Sequence, residues 1–308
     1  MALAAPALQQ AVDWEVAEQQ IGLWQDAWRR FRRNPLAVAG AVLVGFLVLV
    51  AFLSPVLVHF GLIIDPIKQE VEHIEAGPGQ YGHLFGTDEL GRDTLSRLMY
   101  GSRISLSVGI LVQGIILPIG LAIGLTAGYF GGRIDNLLMR ITDIWYAFPD
   151  LIFVLVLVSV FGPSLLSIFG AIALVNWVNL ARLVRGQVLA IKEKEYIEAA
   201  RALGASPWRI MFIDILPNVA AQVIVYVTLL IPVTILFEAA LSFLGVGIPP
   251  PTADWGQMIS DAQNVYQYGA WWFLVFPSIA LLVTTLAFNI LGDGVRDAFD
   301  PRGDQLFV

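Results

Sequence analysis

Cysteine is absent from the 308-residue chain, which excludes disulfides, thiol catalysis and cysteine-ligated metal sites. Charge is scarce: 14% of residues are charged against 57% hydrophobic, and the mean hydropathy is +0.72. Such a composition excludes a soluble domain with an ordinary polar surface. Lysine occurs only at Lys68, Lys192 and Lys194, never after glycine, so no Gly-Lys-Ser/Thr phosphate-binding loop is present. His59, His73 and His83 are the only histidines and all fall outside the apolar runs. No serine within those runs has an evident base beside it, which argues against an intramembrane hydrolase. A net charge of −7 and a pI near 4.9 lack the basic footprint of nucleic-acid binding.

What the chain has instead is length in apolar runs. About 20 apolar residues cross the hydrocarbon of a bilayer, and six candidate spans occur, at 36–58, 104–127, 144–161, 165–181, 219–240 and 271–291. Continuous runs without alternation predict helices, which satisfy their own backbones in lipid, and not a β-barrel. Basic residues near span ends are retained in the cytoplasm. Arg29, Arg30, Arg32 and Arg33 precede the first span, Arg133 and Arg140 separate the second from the third, and Arg182, Arg185, Lys192, Lys194, Arg201 and Arg209 separate the fourth from the fifth. Arg296 and Arg302 follow the sixth, so both termini are predicted to be cytoplasmic and the protein to cross the membrane several times. The first run is of full membrane length and follows a long polar leader, as a retained anchor and not a cleaved signal would.

The pattern divides the chain into a leader (1–34), a first anchor (35–58), an extracytoplasmic region (59–103), a membrane core (104–294) and a tail (295–308). In the leader, Trp14, Ala17, Ile21, Trp24, Trp28 and Phe31 share one helical stripe. It reads as a helix lying in the lipid interface or docked on a partner protein, after about ten disordered residues. In the outer region Gly86 and Gly91 punctuate a turn before Asp93 and Arg97, which stand one helical turn apart. Asp88, Glu89 and Asp93 lack the alternating ligands of a calcium loop and read as solvated charges. Gly120, Gly124 and Gly128, four residues apart, form a strip on which another helix can pack closely. Asn176 and Asn179 are candidates for interhelical hydrogen bonds or solute contacts. Two acids lie in or near spans: Glu238, read as an interfacial group paired or wetted near the outer surface, and Asp150, deep in its run after Pro149, read as lining a path or structurally paired.

The segment 198–217, EAARALGASPWRIMFIDILP, is polar between two membrane-grade runs. Residues 195–203 predict a short helix, with Glu198 and Arg201 as a surface ion pair and Ala199 and Ala200 as a low-profile face. Gly204 suits its left-handed end, Ser206 an N-cap and Pro207 the first position of a second short helix carrying Trp208, Met211, Phe212 and Ile215. An amphipathic hairpin lying on the membrane is the alternative reading. Glu198, Ala199, Ala200, Gly204, Leu216 and Pro217 together resemble the EAA loop of bacterial ABC importer permeases. One departure is Asp214, where the family pattern places Ile; Ile215 follows one position later.

With that segment, HLFGTDELGRDTLSRLMYGSRISL, GGRIDNLLMRITDIWYAFP, WVNLARLVRGQVL, LSFLGVGIPPPTADWGQM and FNILGDGVRDAFDPR make the chain similar to the C-type permease subunit of dipeptide, oligopeptide and nickel ABC importers. The resemblance implies an all-α, six-helix type I importer fold with a coupling segment at 186–217. It also implies a second homologous permease subunit in a heterodimer, two ATPase subunits that bind ATP and Mg, an extracytoplasmic solute-binding protein, and no cofactor or metal on this chain. Peptide is the expected cargo; nickel or another small solute is the alternative, although no histidine lies in a span. A secondary transporter is the reading from another class, but no convincing inverted repeat is evident.

Overall fold

The computed structural model describes residues 22–263 and 269–300. Trp14, Ala17 and Ile21 of the predicted stripe, the leader's first ten residues and Arg302 lie outside the described residues.

Among those residues the regular structure is helical. The elements are α1 (Leu23–Arg33), α2 (Pro35–His59), α3 (Thr94–Phe130), α4 (Gly132–Tyr146), α5 (Asp150–Phe161), α6 (Leu165–Ile191), α7 (Glu195–Ala202), α8 (Pro207–Phe243), α9 (Trp255–Ala262) and α10 (Trp272–Phe299). Five of them, α2, α3, α6, α8 and α10, are long and apolar enough to span a membrane.

The third span is broken where the sequence predicted one helix. Helices α4 and α5 meet at 84° and make a sixth span only if counted together. Proline disfavours a helical conformation at the residue before it, and Pro149 itself is extended, at ψ 124°, as the N-cap of α5. Asp150 is therefore the first residue of a helix and exposed, not a group deep within a continuous one. Helix α6 also runs ten residues past the apolar run that announced it, to Ile191. Ser164 and Ser167 start it with a reciprocal capping box.

The core lies where α3 crosses α6. Val112, Ile116, Ile172, Leu180, Val184 and Val188 are buried there. The glycine strip makes this possible, since Gly120 faces Leu180, Gly124 faces Ala181 and Val184, and Gly128 faces Val188. A second contact joins α2 to α10, with Gly40 against the backbone of Leu291 and Gly294 against Ala37. The leader helix docks on its own chain: Trp24 meets Phe299 edge-on at 5.4 Å, and Ala27 is buried.

The segment between α2 and α3 is held by polar contacts. Asp88 pairs with Arg92 at 2.6 Å and with Arg97 at 3.3 Å, while buried Asp93 caps α3 through Ser96 N. Asp88 and Asp93 are thus consumed by internal partners and are not solvated charges. Trp272 Nε1 donates to Thr87 O at 3.1 Å, tying this segment to α10.

Candidate functional site

Helix α7 begins after Lys194 and ends in a Schellman motif, in which Gly204 N donates to Arg201 O and Ala205 N to Ala200 O, both at 3.0 Å. Gly204 has φ +82°, a left-handed conformation that a side chain would strain. Ser206 then accepts from Arg209 N at 3.3 Å, and Pro207 occupies the first helical position. The two elements meet at a fixed corner because both sides of Gly204 are capped.

The second element is not a separate short helix, as its sequence suggested. After one turn it widens to π-winding over Ile210–Ile215 and continues unbroken into the fifth span. Pro217 supplies a physical reason. It cannot donate to the Ile213 carbonyl, and the wider turn lets Leu216 N reach Met211 O. The corner and the fifth span are therefore one continuous element.

One face of the corner is anchored and the other presented. Ile197, Ile210, Met211 and Ile215 are buried in the main core. Leu203 is 89% exposed, Trp208 64% and Phe212 52%, and the last two rings stack at 6.0 Å. Glu198 and Ala199 are exposed and Ala200 half-buried. Among the described residues no ion pair joins Glu198 to Arg201, so the predicted pairing does not form and both charges stay on the surface.

Basic residues read from sequence as topology markers are structural rivets. Arg185 grips Asp135 with two bonds of 2.5 and 2.6 Å, Arg182 pairs with Asp143 at 2.7 Å, and Lys192 Nζ donates to Gly128 O at 3.0 Å. These contacts lock α4 and the end of α3 to α6 just before the corner. Asp135 and Asp143 were not singled out in the sequence, because their partners lie 50 and 39 residues away.

The candidate path residues are not brought together by any contact among the described residues. Asp150 is exposed at the head of α5. Asn176, half-buried, donates to Ile172 O of its own helix at 3.0 Å, whereas Asn179 makes the interhelical bond, accepting from Tyr146 OH. Glu238 is fully buried, so it is paired within the protein and not wetted; Ser242 Oγ donates to Glu238 Oε1 at 2.9 Å. A cavity of about 400 Å³, which sequence reasoning did not foresee, opens between α6, α8 and α10, lined by Leu183, Gln222, Tyr226, Leu229 and Arg296.

A model of the binding-protein-dependent transport system inner membrane component matches residues 120–304, and one of the N-terminal transmembrane domain of oligopeptide transport permease C matches residues 22–78. The chain is 42% identical over 287 residues to the dipeptide transport system permease protein DppC of Bacillus subtilis, covering 93% of this chain and 88% of that one. It is 39% identical over 298 residues to the oligopeptide permease OppC of the same organism, covering 96% of each. With OppC of Escherichia coli K12 the identity is 43% over 281 residues, 91% of each chain. A solved structure of the MetNI methionine ABC transporter in inward-facing form aligns with a TM-score of 0.47 at 20% identity, over 66% of this chain and 96% of that one.

Proposed function

Because the chain belongs to the family of binding-protein-dependent transport system inner membrane components, we propose that it forms half of the translocation path of a peptide importer and couples that path to a separate ATPase. It is an integral membrane permease of the ABC importer class, with the type I fold. Its partners in this reading are a second, homologous permease subunit, two ATPase subunits that hold ATP and Mg, and an extracytoplasmic solute-binding protein. Membrane lipid surrounds the spans. Both termini and the corner at Gly204 face the cytoplasm. Peptide is the proposed cargo because the relatives are named as dipeptide and oligopeptide permeases.

The observation that carries the coupling role is the rigid corner, anchored by Ile197 and Ile210 and presenting Glu198, Leu203, Trp208 and Phe212 outward. A partner that moves this corner tilts α8, since no break separates them. That is the two-state element an ATP-driven gate requires. In this reading Glu198, Ala199, Ala200, Gly204, Leu216 and Pro217 form the ATPase-facing unit, and Asp150 and Asn176 border the path.

The test is co-purification of the detergent-extracted chain with its ATPase. The ATPase is expected to come away with the wild-type chain, to be lost with Glu198→Arg, and to hydrolyse ATP faster when peptide-loaded binding protein is added. A chain that purifies alone, with uptake that persists on an ion gradient after ATP depletion, would mark a secondary transporter. Stimulation by nickel-loaded and not peptide-loaded binding protein would reassign the cargo.

A further inference from the structure

The segment between the first two spans assembles three residues that the transport reading does not use. Glu70, His73 and His83 each contribute one ligand atom, and the three atoms lie within 4.8 Å of one another. Both imidazoles converge on a single oxygen, with His73 Nδ1 3.0 Å and His83 Nε2 3.4 Å from Glu70 Oε2. Ligands about 2 Å from a tetrahedral ion stand roughly 3.3 Å apart, so these separations suit neighbours around one ion.

The orientation of the rings is fixed independently. Asp93 Oδ2 accepts from Ser96 N and Oγ, and Asp93 Oδ1 lies 2.8 Å from His83 Nδ1. A carboxylate only accepts, so the proton on Nδ1 goes to Asp93 and the other ring nitrogen, Nε2, faces Glu70 Oε2. A metal ion or a proton between Nε2 and Oε2 satisfies both atoms. A carboxylate on the far N–H is also how a metal-binding histidine is held in its tautomer and orientation. The His83 ring is 1% exposed and cannot swing away, and His73 is stacked on Tyr81 with centroids 4.3 Å apart. Lys68 takes Glu70 Oε1 at 2.8 Å and leaves Oε2 for the site.

We propose that Glu70, His73 and His83 bind one divalent ion of the zinc class, with Asp93 and Lys68 as positioning residues and a fourth coordination position open. Two imidazoles and one carboxylate favour zinc, cobalt, nickel or copper over magnesium and calcium, which take oxygen ligands. The ion would clip the turn Val71–His73 to the start of α3, beside its capping residue Asp93.

The experiment uses the full chain in detergent, purified without a histidine tag and stripped with chelator. Zinc is titrated against a chromophoric competitor, and cobalt by its visible absorption. One equivalent is expected, with the intense bands of tetrahedral cobalt. His73→Ala and Glu70→Gln should each weaken zinc at least about 10-fold, and Asp93→Asn about 10- to 100-fold. His59→Gln should change nothing, and with no cysteine in the chain the background is low. His73 and Glu70 are partly exposed, so their variants test the site without the unfolding risk of replacing buried His83. Zinc uptake no greater than that of His73→Ala would overturn the proposal in favour of a protonated hydrogen-bonded cluster. No arm of the test involves transport.

Discussion

Gly124 and Ala181 meet without side chains between them: a Cβ built on Gly124 would stand 2.6 Å from the Ala181 carbonyl oxygen. Helices α3 and α6 therefore touch through backbone, and rotating a neighbouring side chain cannot make room. Gly124→Leu should push them apart and cost at least about 1–3 kcal/mol, the usual scale of overpacking. Gly114→Ala, with nothing within 4 Å of its added methyl, should melt like wild type. Thermal melts of the two purified variants decide it, and an unchanged midpoint for Gly124→Leu would mean that this crossing is not the structural centre.

Gly204→Pro should uncouple transport while leaving membrane abundance unchanged. Proline requires φ near −65°, whereas Gly204 sits at +82° and donates to Arg201 O, so the Schellman corner is lost. No span is touched. Uptake and immunodetected abundance in one strain provide the check, and normal uptake would remove the coupling role from this corner.

A single cysteine at Gln80 should react with an impermeant maleimide in intact cells, and one at Leu203 should react only after lysis. Both side chains are exposed and the chain has no native cysteine; labelling lysed cells that lack the ATPase keeps the proposed partner from shielding Leu203. The opposite pattern would reverse the topology and move the ATPase to the wrong side.

Asp254, the N-cap of α9, should make stability fall as pH rises through about 6. Burial pushes its carboxyl up to about 6, against the Gln257 backbone N–H and Arg97, which pull it down. Between about pH 4 and pH 6 the folded chain holds a proton that the unfolded chain has released, so acidification through that window stabilises and alkalinisation destabilises. Asp254→Asn keeps a capping oxygen for Gln257 N but does not titrate. Its melting midpoint should gain on wild type as pH rises from about 4 to about 6 and then level off. A constant difference across that range would show that Asp254 is ionised throughout.

Much of the corner at Gly204 was legible in the sequence because its signals are local. Gly204, Ser206 and Pro207 each specify the backbone within one turn of themselves, and the structure places them in those roles. The winding of the second element was less legible, since Pro217 announces only a missing donor. Whether the helix breaks or widens there depends on Ile210, Met211 and Ile215 being held in the core. Asp150 was misplaced for a similar reason. An apolar run around a proline fits one kinked span or two angled helices, and Val154 and Val158 packing in the main core accompanies the second.

By itself the sequence determined the class of solvent, the apolar runs, the caps on either side of Gly204 and the close-packing glycine strip. Each follows from hydropathy, backbone conformational preference or side-chain size within a few residues, where the chain has few alternatives. Only the tertiary structure decided that Arg185 holds Asp135, that Glu238 is fully buried, and that Glu70, His73 and His83 converge beside Asp93. Those partners are chosen by how helices and turns pack, and the strength of a charge or hydrogen bond depends on distance and burial, which no local pattern records.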